Sequence, residues 1–271
     1  VAADSAWLNT NSFRERSSML GDIVHSDPFF VDGETPTVYV GANDGMLHAF
    51  NASTGAELFA YIPTAIFKGL SGLTNRYYSH QPNVDGSAVV KMIGNRKILV
   101  GTLRGGGQSV FALDVTNPSN FSANDVLWEY SDNDLGYTFS KPTIGQMANG
   151  TWAVFIGNGY NNTEADGSAS TTGNAALYIL PLETNLKLGT AIKLNTGKGL
   201  ATATDSKPNG LATPAVIFNP IDPQTVNSVY AGDLQGNLWK FDLSGNAPAI
   251  AYSGSNCAAS NSCKPLFTAK N

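Results

Sequence analysis

The chain has 271 residues, of which 42% are hydrophobic, so it can bury a sizeable core and is not a disordered protein. Its net charge is −5 and no basic run is present to neutralise phosphates, so we expect no nucleic-acid partner. No apolar segment approaches the ~20 residues of a membrane span, and the lack of a signal peptide at Val1 is interpreted as an internal cut in a longer precursor.

The first predicted unit is a meander of short strands within residues 38–63. An apolar strand begins at Val38, and residues 43–45, Asn-Asp-Gly, tolerate the positive φ of a tight reversal. The next strand, residues 47–50, leads into a turn in which an Asx side chain bonds to the backbone and Gly55 closes the corner. Only 14% of the residues are charged and 28 are glycine, a composition that favours strands and turns over helices.

The same pattern recurs three more times along the chain. Each apolar strand is followed by a strand of alternating large side chains and preceded by a short strand that often opens with proline, which a strand tolerates at its first residue. The predicted strands are residues 28–31, 38–41, 47–50 and 57–62; 88–92, 98–101, 110–113 and 126–130; 142–146, 154–157, 177–180 and 188–194; and 214–218, 229–232, 238–241 and 265–268.

Four similar four-stranded units predict an all-β fold made of antiparallel β-propeller blades. A two-sheet sandwich built from the same hairpins is the alternative, but the recurring strand–glycine corner and the Asx turns at Asn51, Asp114 and Asp242 favour the propeller. We predict an open arc, part of a larger propeller, whose first and fourth blades leave apolar faces uncovered. The predicted division is a lead-in segment, residues 1–20, and blades at approximately 21–63, 84–131, 138–195 and 209–271.

The segments between strands carry weaker signals. Residues 63–70 are a candidate short helix begun by proline or threonine, and residues 73–81 are predicted to be a long surface excursion. Residues 105–107 are consecutive glycines, interpreted as a hairpin turn because no Lys-Ser/Thr pair and no helix follow them, as a phosphate-binding loop requires. Residues 158–173 are predicted to be an exposed loop.

A search for catalytic chemistry finds no suitable constellation. The three histidines, His25, His48 and His80, are not in a metal-ligand spacing, and no nucleophile motif such as GxSxG is present. His48 lies in the middle of a strand among apolar residues, so we interpret it as a satisfied interior or channel-facing histidine. We therefore predict no catalytic, cofactor-binding or metal-binding residues.

Three carboxylates in predicted turns have no evident partner in the sequence. They are Asp22, Asp132 and Asp134, and we interpret them as turn residues. The two cysteines, Cys257 and Cys263, lie close together in a Ser/Asn-rich loop. A hairpin disulfide, which indicates the periplasm or cell surface, is favoured over a metal pair because no histidine or third cysteine is near.

Four segments carry a family resemblance. They are LGDIVHSDPFFV from Leu20, VYVGANDGMLHAFNASTG from Val38, DLGYTFSKPTIGQM from Asp134 and YAGDLQGNLWKFDLSG from Tyr230. They resemble the C-terminal propeller of the PilC/PilY family of type IV pilus-associated proteins. The resemblance implies a non-enzymatic, secreted protein of the periplasm, outer membrane, cell surface or pilus tip. Such a protein promotes pilus assembly, opposes retraction and supports adhesion and twitching motility, with minor pilins and a host-cell receptor as partners.

The chain departs from this family at a calcium loop. Many relatives carry a DxDxDG loop, whose oxygens wrap a hard cation, between the strand after TPA and the strand before YAGDL. Here the equivalent residues 219–227, from Asn219 to Asn227, contain one carboxylate, Asp222, and two prolines. We therefore expect no tight Ca²⁺ site in this loop and assign no cofactor. Should calcium bind elsewhere, the first candidates are Asp132 with Asp134, and Glu164 with Asp166.

Two other function classes remain open at this point. Quinoprotein dehydrogenases also have propeller blades, with DxxTG-like corners similar to residues 51–55 of this chain. Their quinone pocket uses two adjacent cysteines and a set of Ca²⁺-binding carboxylates. In this chain Cys257 and Cys263 are not adjacent. A structural scaffold for outer-membrane protein assembly is the third interpretation. Bound quinone would distinguish the enzyme, and loss of surface pili on gene deletion would distinguish the pilus factor.

Overall fold

The computed structural model describes residues 13–163, 169–201, 206–251 and 264–269. Their strands form four antiparallel meanders, and in each the strands pair in chain order, as a propeller blade requires. The predicted all-β class of four four-stranded units is therefore confirmed. The first blade contains β1 (Phe29–Val31), β2 (Thr37–Gly41), β3 (Leu47–Asn51) and β4 (Glu57–Tyr61). The second contains β5 (Val89–Ile93), β6 (Arg96–Thr102), β7 (Val110–Asp114) and β8 (Val126–Tyr130).

The other two blades follow the same order. The third contains β9 (Thr143–Gln146), β10 (Trp152–Gly157), β11 (Ala176–Leu182) and β12 (Ile192–Asn195). A separate two-stranded hairpin, β13 (Leu200–Ala201) and β14 (Ser206–Lys207), comes next. The fourth blade contains β15 (Ala215–Phe218), β16 (Val226–Gly232), β17 (Asn237–Asp242), β18 (Ala249–Ile250) and β19 (Phe267–Thr268).

Successive side chains of the middle strands serve two different cores. In β6, Leu99 packs toward the first blade while Ile98 and Val100 pack toward the third, because neighbouring side chains of a strand point to opposite faces of the sheet. In β10, Phe155 likewise packs toward the fourth blade and Val154 toward the second. The second and third sheets thus bury both faces, which explains their continuous apolar runs.

The buried cores lie only between consecutive blades within the described ranges. One core joins the first and second sheets, another the second and third, and a third core the third and fourth. No described core joins the fourth sheet to the first, as the prediction of an open arc requires. Phe30 on the first blade is 56% exposed and Ile217 on the fourth is 46% exposed, so both end blades present apolar side chains to solvent.

The outer strand of the fourth blade differs from the prediction. It consists of two pieces on the same edge of β17: Phe241 pairs with Ile250, and Leu238 pairs with Phe267. The prediction identified only the second piece, which follows Pro265. Cys257 and Cys263 lie outside the described residues, between these pieces.

The disulfide between Cys257 and Cys263 therefore stays a prediction. A short loop closed by a disulfide gains about 2 kcal/mol in the chain-entropy model, so its removal should have a modest effect on stability. Mass spectrometry of freshly purified protein without reductant should give a mass lower by two hydrogens than the reduced chain. Two thiols that react with iodoacetamide before reduction would contradict it.

The connecting segments can be compared with their predictions where they are described. The loop over residues 158–173 was predicted to be exposed, but it is not exposed throughout. Asn158 and Asn162 are fully buried, because their side-chain amides donate to the carbonyls of Asp134 and Asn174.

The glycine run is confirmed as the turn between β6 and β7, and Gly106 is required there because a Cβ would come within 1.6 Å of the Asn83 carbonyl oxygen. The candidate helix over residues 63–70 is instead the 3₁₀ turn Thr64–Ile66, followed by a second one, Leu70–Thr74. Gly69 and Gly72 disfavour a longer α-helix there. The remaining 3₁₀ turns are Pro118–Asn120, Ala123–Asp125 and Thr184–Leu186.

The antiparallel order of the strands separates the loops onto two faces. We call one the connector face: it carries the turns between the second and third strands of each blade and the links from one blade to the next. The opposite hairpin face carries the turns between first and second and between third and fourth strands. No helix within the described part of the chain has the length and hydrophobicity to cross a bilayer.

Candidate functional site

The inner ends of the four blades meet around a cavity of about 430 Å³ on the connector face, which we call the axial cavity. Each blade contributes the residue two positions before its first strand: Asp27, Ser87, Lys141 and Thr213. The Asp27 amide donates to Ser87 Oγ at 3.0 Å, and the Lys141 amide donates to Thr213 Oγ1 at 3.1 Å. These bonds join neighbouring blades at equivalent positions, so the cavity is lined by equivalent residues of the four repeated units.

Ion pairs cross the axial cavity. Lys141 Nζ lies 3.3 Å from Asp27 Oδ2, which links the third blade to the first. Asp85 is almost fully buried beside the cavity; it accepts from the His25 amide at 3.1 Å and contacts His25 Nδ1 at 2.7 Å. The Arg104 Nε atom lies 3.6 Å from the same carboxylate. The cavity therefore has charged walls that are fixed by buried or paired partners.

An apolar groove of about 310 Å³ adjoins the axial cavity. The two share Lys141 and Thr213, and the groove continues along the inner strands of the second and third blades. Its walls are mainly aliphatic side chains, with one further cation: Val89, Val90, Lys91, Pro142 and Ile144. Charged and aliphatic surfaces are therefore continuous at the centre of the arc.

A second polar cluster lies on the connector side of the first blade. His48 is buried, and its ring lies between Glu57, 2.6 Å from Nδ1, and Asp44, 3.2 Å from Nε2. Burial alone would lower the pKa of His48, but the hydrogen bonds to Asp44 and Glu57 outweigh it and raise the pKa above its ordinary value. The interpretation of His48 as a satisfied interior histidine agrees with this geometry.

The His48 cluster predicts a pH-dependent stability. Because the folded pKa is raised, the stabilisation is fully present below about pH 6.5 and is lost as the pH rises through the folded pKa. The melting temperature of the wild type should therefore exceed that of His48→Gln by several degrees at pH 6, and by less at pH 9. His80→Gln is the control, because the exposed pair of His80 with Asp22 contributes little. A difference that does not change with pH would contradict this account.

The lead-in residues are held on the same blade by backbone and side-chain bonds. Asp44 accepts from the Gly21 amide at 2.6 Å, and Asp22 accepts from the Asn43 side chain at 2.8 Å and contacts His80 at 2.8 Å. Asp22 was predicted to be a turn carboxylate without a partner, and the structure supplies two. These contacts are structural, because they join the segment before β1 to the turn after β2.

A third cluster brings together two carboxylates that the sequence leaves without partners. Lys193 Nζ lies 3.1 Å from Asp132 and 2.7 Å from Asp134, and the hydroxyls of Tyr178 and Ser170 donate to these two carboxylates. Burial alone would raise the pKa of Asp132, but the bonds from Tyr178 and Lys193 lower it overall. The lysine ammonium thus occupies the position between the carboxylates that a cation would take.

The residues of the loop 219–227 do not fit a Ca²⁺ ion. Asp222 is its single carboxylate, and its oxygens accept from the Gln224 amide at 3.3 Å and from Thr225 Oγ1 at 2.6 Å in a closed turn. A Ca²⁺ ion needs six to eight oxygen ligands. Across the described ranges, no three His, Cys, Asp or Glu side chains are grouped as metal ligands. Glu164 and Asp166 lie outside those ranges.

Calcium is therefore predicted to leave the stability of this chain unchanged. A ligand that binds only the native state raises the melting temperature by mass action, and no group of three His, Cys, Asp or Glu side chains lies together in the described ranges. The melting temperature in 5 mM EGTA and in ~2 mM CaCl₂ should agree within a degree. A rise of several degrees on adding CaCl₂, with MgCl₂ as the matched control, would show that a site exists.

Sequence reasoning missed the residues that build the axial cavity. Asp85, Arg104 and Lys141 are separated along the chain, and only the arrangement of the blades brings them together. One signal was available: a serine or threonine stands just before the first strand in every unit, at Ser26, Ser87, Ser140 and Thr213. Ser26 Oγ and Ser140 Oγ each accept a hydrogen bond from the amide of the glycine that ends the second strand of their blade.

Comparison with known proteins gives consistent matches over nearly the whole chain. Residues 27–269 match the family model of the PilY1 β-propeller domain. The chain is 42% identical over 277 residues to the type IV pilus biogenesis factor PilY1 of Pseudomonas aeruginosa strain UCBPP-PA14, covering 88% of this chain and 22% of that protein. It is 37% identical over 314 residues to a PilY1 homolog of Xylella fastidiosa strain Temecula1, covering 99% of this chain and 20% of that protein.

A solved structure shows the same architecture. The chain is similar to the crystal structure of the Pseudomonas aeruginosa PilY1 C-terminal domain, with a TM-score of 0.62 and 35% sequence identity. The match covers 87% of this chain and 46% of that one. The chain spans about a fifth of the length of the curated relatives it matches.

Proposed function

Because the chain belongs to the PilY1 β-propeller family, we propose that it is the propeller of a type IV pilus biogenesis factor, acting by binding other proteins in the bacterial cell envelope. The observation that carries the proposal is the 42% identity to a PilY1 factor over 88% of the chain. The connector face supports a binding role, because four blades converge there on one cavity with charged and aliphatic walls.

The finer proposal concerns what this binding achieves. The protein promotes pilus assembly, opposes retraction and supports adhesion and twitching motility from the periplasm, outer membrane or pilus tip. Its partners are minor pilins and a host-cell receptor, and it is not an enzyme. The polar clusters favour this assignment, because Asp132 and Asp134 share the ion pair with Lys193, and Glu57 and Asp44 hold His48. Each of these groups is engaged by a structural partner instead of being free for proton transfer.

Binding to minor pilins tests the proposed partners. Each purified minor pilin of the same bacterium is mixed with the full-length protein that contains this propeller, and complexes are measured by sedimentation velocity. We expect at least one minor pilin to form a complex at micromolar concentration, and the major pilin serves as the control. If none of the minor pilins forms a complex, the partner assignment is wrong.

A further inference from the structure

We propose that the axial cavity binds a carboxylate of an acidic peptide segment, with the Arg104 guanidinium as the anchor and Lys141 as the second cation. The inference deepens the proposed function and rests on it for the identity of the partner as an envelope protein. The binding chemistry itself rests on four features of the cavity: the free end of Arg104, its backbone, the local charge and the adjoining groove.

The first feature is the orientation of the Arg104 side chain. The guanidinium carbon lies 4.8 Å from the centre of the Phe139 ring, and Nε faces Asp85 at 3.6 Å. Among the described residues, no acceptor lies within hydrogen-bond distance of its two terminal nitrogens. The side chain is about one-third exposed and lines the cavity. A guanidinium held by its ring contact and its inner nitrogen leaves a fork that can bind a carboxylate in a bidentate manner.

The second feature is the backbone of Arg104. Its φ is 53°, in the left-handed region that a side chain such as arginine rarely adopts. The conformation is held by the bond from the Arg104 amide to the Thr138 carbonyl at 3.2 Å. Glycine or asparagine would adopt it with less strain, and the next residues are glycines. Strain of this kind is concentrated at ligand-binding sites, so the arginine is better explained by a ligand than by the turn.

The third feature is the charge of the joined cavities. The cations that line them are Lys91, Arg104 and Lys141. The nearby carboxylates are Asp27, which also lines the cavity, and Asp85, which lies 3.6 Å from Arg104 Nε. The formal balance of these five side chains is one positive charge, in a chain whose net charge is −5. One bound carboxylate would make the site neutral. The hydroxyls of Ser87 and Thr213 add polar groups around the same point.

The fourth feature is the aliphatic groove, which favours a peptide over a small anion or an acidic sugar. Val90, Pro142 and Ile144 line the same groove as Lys141, so the groove adjoins a carboxylate bound at Lys141. Aliphatic walls bury valine- or alanine-sized side chains, whereas sugar-binding sites present aromatic rings to the ligand. We therefore assign the groove to the residues that flank the acidic one.

The test uses the purified 271-residue chain and a pair of peptide libraries. Capped hexapeptides carry a fixed aspartate in the third position, with Gly, Ala, Val, Ser or Thr elsewhere, and the control library has asparagine in its place. Immobilised wild type should enrich aspartate peptides over asparagine peptides at least tenfold. Arg104→Asn and Lys141→Gln should each reduce this enrichment about tenfold or more, since each removes a charge-assisted bond. Lys187→Gln, an exposed lysine on the hairpin face, should leave it unchanged.

The melting temperature separates a binding role of Arg104 from a structural one. Asparagine tolerates the left-handed backbone, so Arg104→Asn should melt within about 4 °C of the wild type while binding is lost. The variant also removes the ion pair of Arg104 with Asp85. A loss of ~10 °C in melting temperature would show that this ion pair is structural and would overturn the inference.

Other results also have a defined meaning. The inference is overturned if aspartate peptides are not enriched over asparagine peptides. It is also overturned if the enrichment persists in both Arg104→Asn and Lys141→Gln. If sodium acetate binds as tightly as the best peptide, or a hyaluronan oligosaccharide binds and the peptides do not, the ligand is not a peptide segment. Because the assay uses the isolated chain, its failure would leave the proposed role in pilus biogenesis standing.

Discussion

Replacing Asp233 by alanine is expected to reduce the free energy of unfolding by about 3–5 kcal/mol. The carboxylate accepts hydrogen bonds from the amides of Gln235 and Asn237, both at 2.9 Å, and from the Asn237 side chain. It also accepts from Trp239 Nε1 and from the Asn209 side chain, each at 2.9 Å. Trp239 and Asn209 are fully buried, so the variant leaves their buried donors without this acceptor. It also removes the hydrogen bonds that hold the turn between β16 and β17.

Chemical denaturation with guanidinium chloride, followed by tryptophan fluorescence, measures this loss. Asp222→Ala is the matched control: Asp222 also caps a turn, through bonds from Gln224 and Thr225, but it is exposed. The control should lose at most about 1 kcal/mol, because water replaces the lost acceptor. Equal losses in the two variants would show that the buried network around Asp233 does not stabilise the fourth blade.

Replacing Lys193 by methionine is the second large effect that we expect, a loss of about 1–3 kcal/mol at pH 7. The variant keeps the volume but leaves Asp132 and Asp134 without their shared cation, and the loss is limited because Lys193 is one-third exposed. Burial alone would lower the pKa of Lys193, but its bonds to the two carboxylates raise the pKa above its ordinary value.

The effect of Lys193→Met should depend on pH at both ends of the range. The pKa of Asp132 is lowered, so its stabilisation is present above about pH 4 and is lost as the pH falls through the folded pKa. The pKa of Lys193 is raised, so the stabilisation from its ion pairs with the two carboxylates is lost only as the pH rises through this folded pKa, above about pH 10.5. The difference in melting temperature from the wild type should be large at pH 7 and small at pH 3. Lys187→Met is the control, and a difference that persists at pH 3 would contradict the ion-pair explanation.

The sheets could be predicted from the sequence because each blade repeats a local pattern. Strand β6 is bounded by a turn at Gly94 and by the glycine run from Gly105, and its apolar run marks burial on both faces. The outer strand of the fourth blade was predicted only in part. Ala249 and Ile250 form a strand solely because β17 offers an edge to pair with, which is a tertiary effect that two residues cannot signal.

The site residues depend on contacts that are distant in the chain. Asp132 and Lys193 are separated by 61 positions, and Asp27 and Lys141 by 114. No periodicity connects such pairs, since their separation depends on how many strands and loops lie between them. The strain at Arg104 is likewise visible only in the backbone, because the sequence there is a typical glycine-rich turn.

The amount of pilin on the cell surface is the most direct test of the central claim, that this propeller belongs to a pilus biogenesis factor. The gene is deleted in the host bacterium, in the wild-type background and in one without the retraction ATPase, and sheared surface pilin is quantified by immunoblot. We predict a loss of surface pilin in the first background, restored by the intact gene and partly regained when retraction is absent. Unchanged surface pilin in both backgrounds would contradict the account.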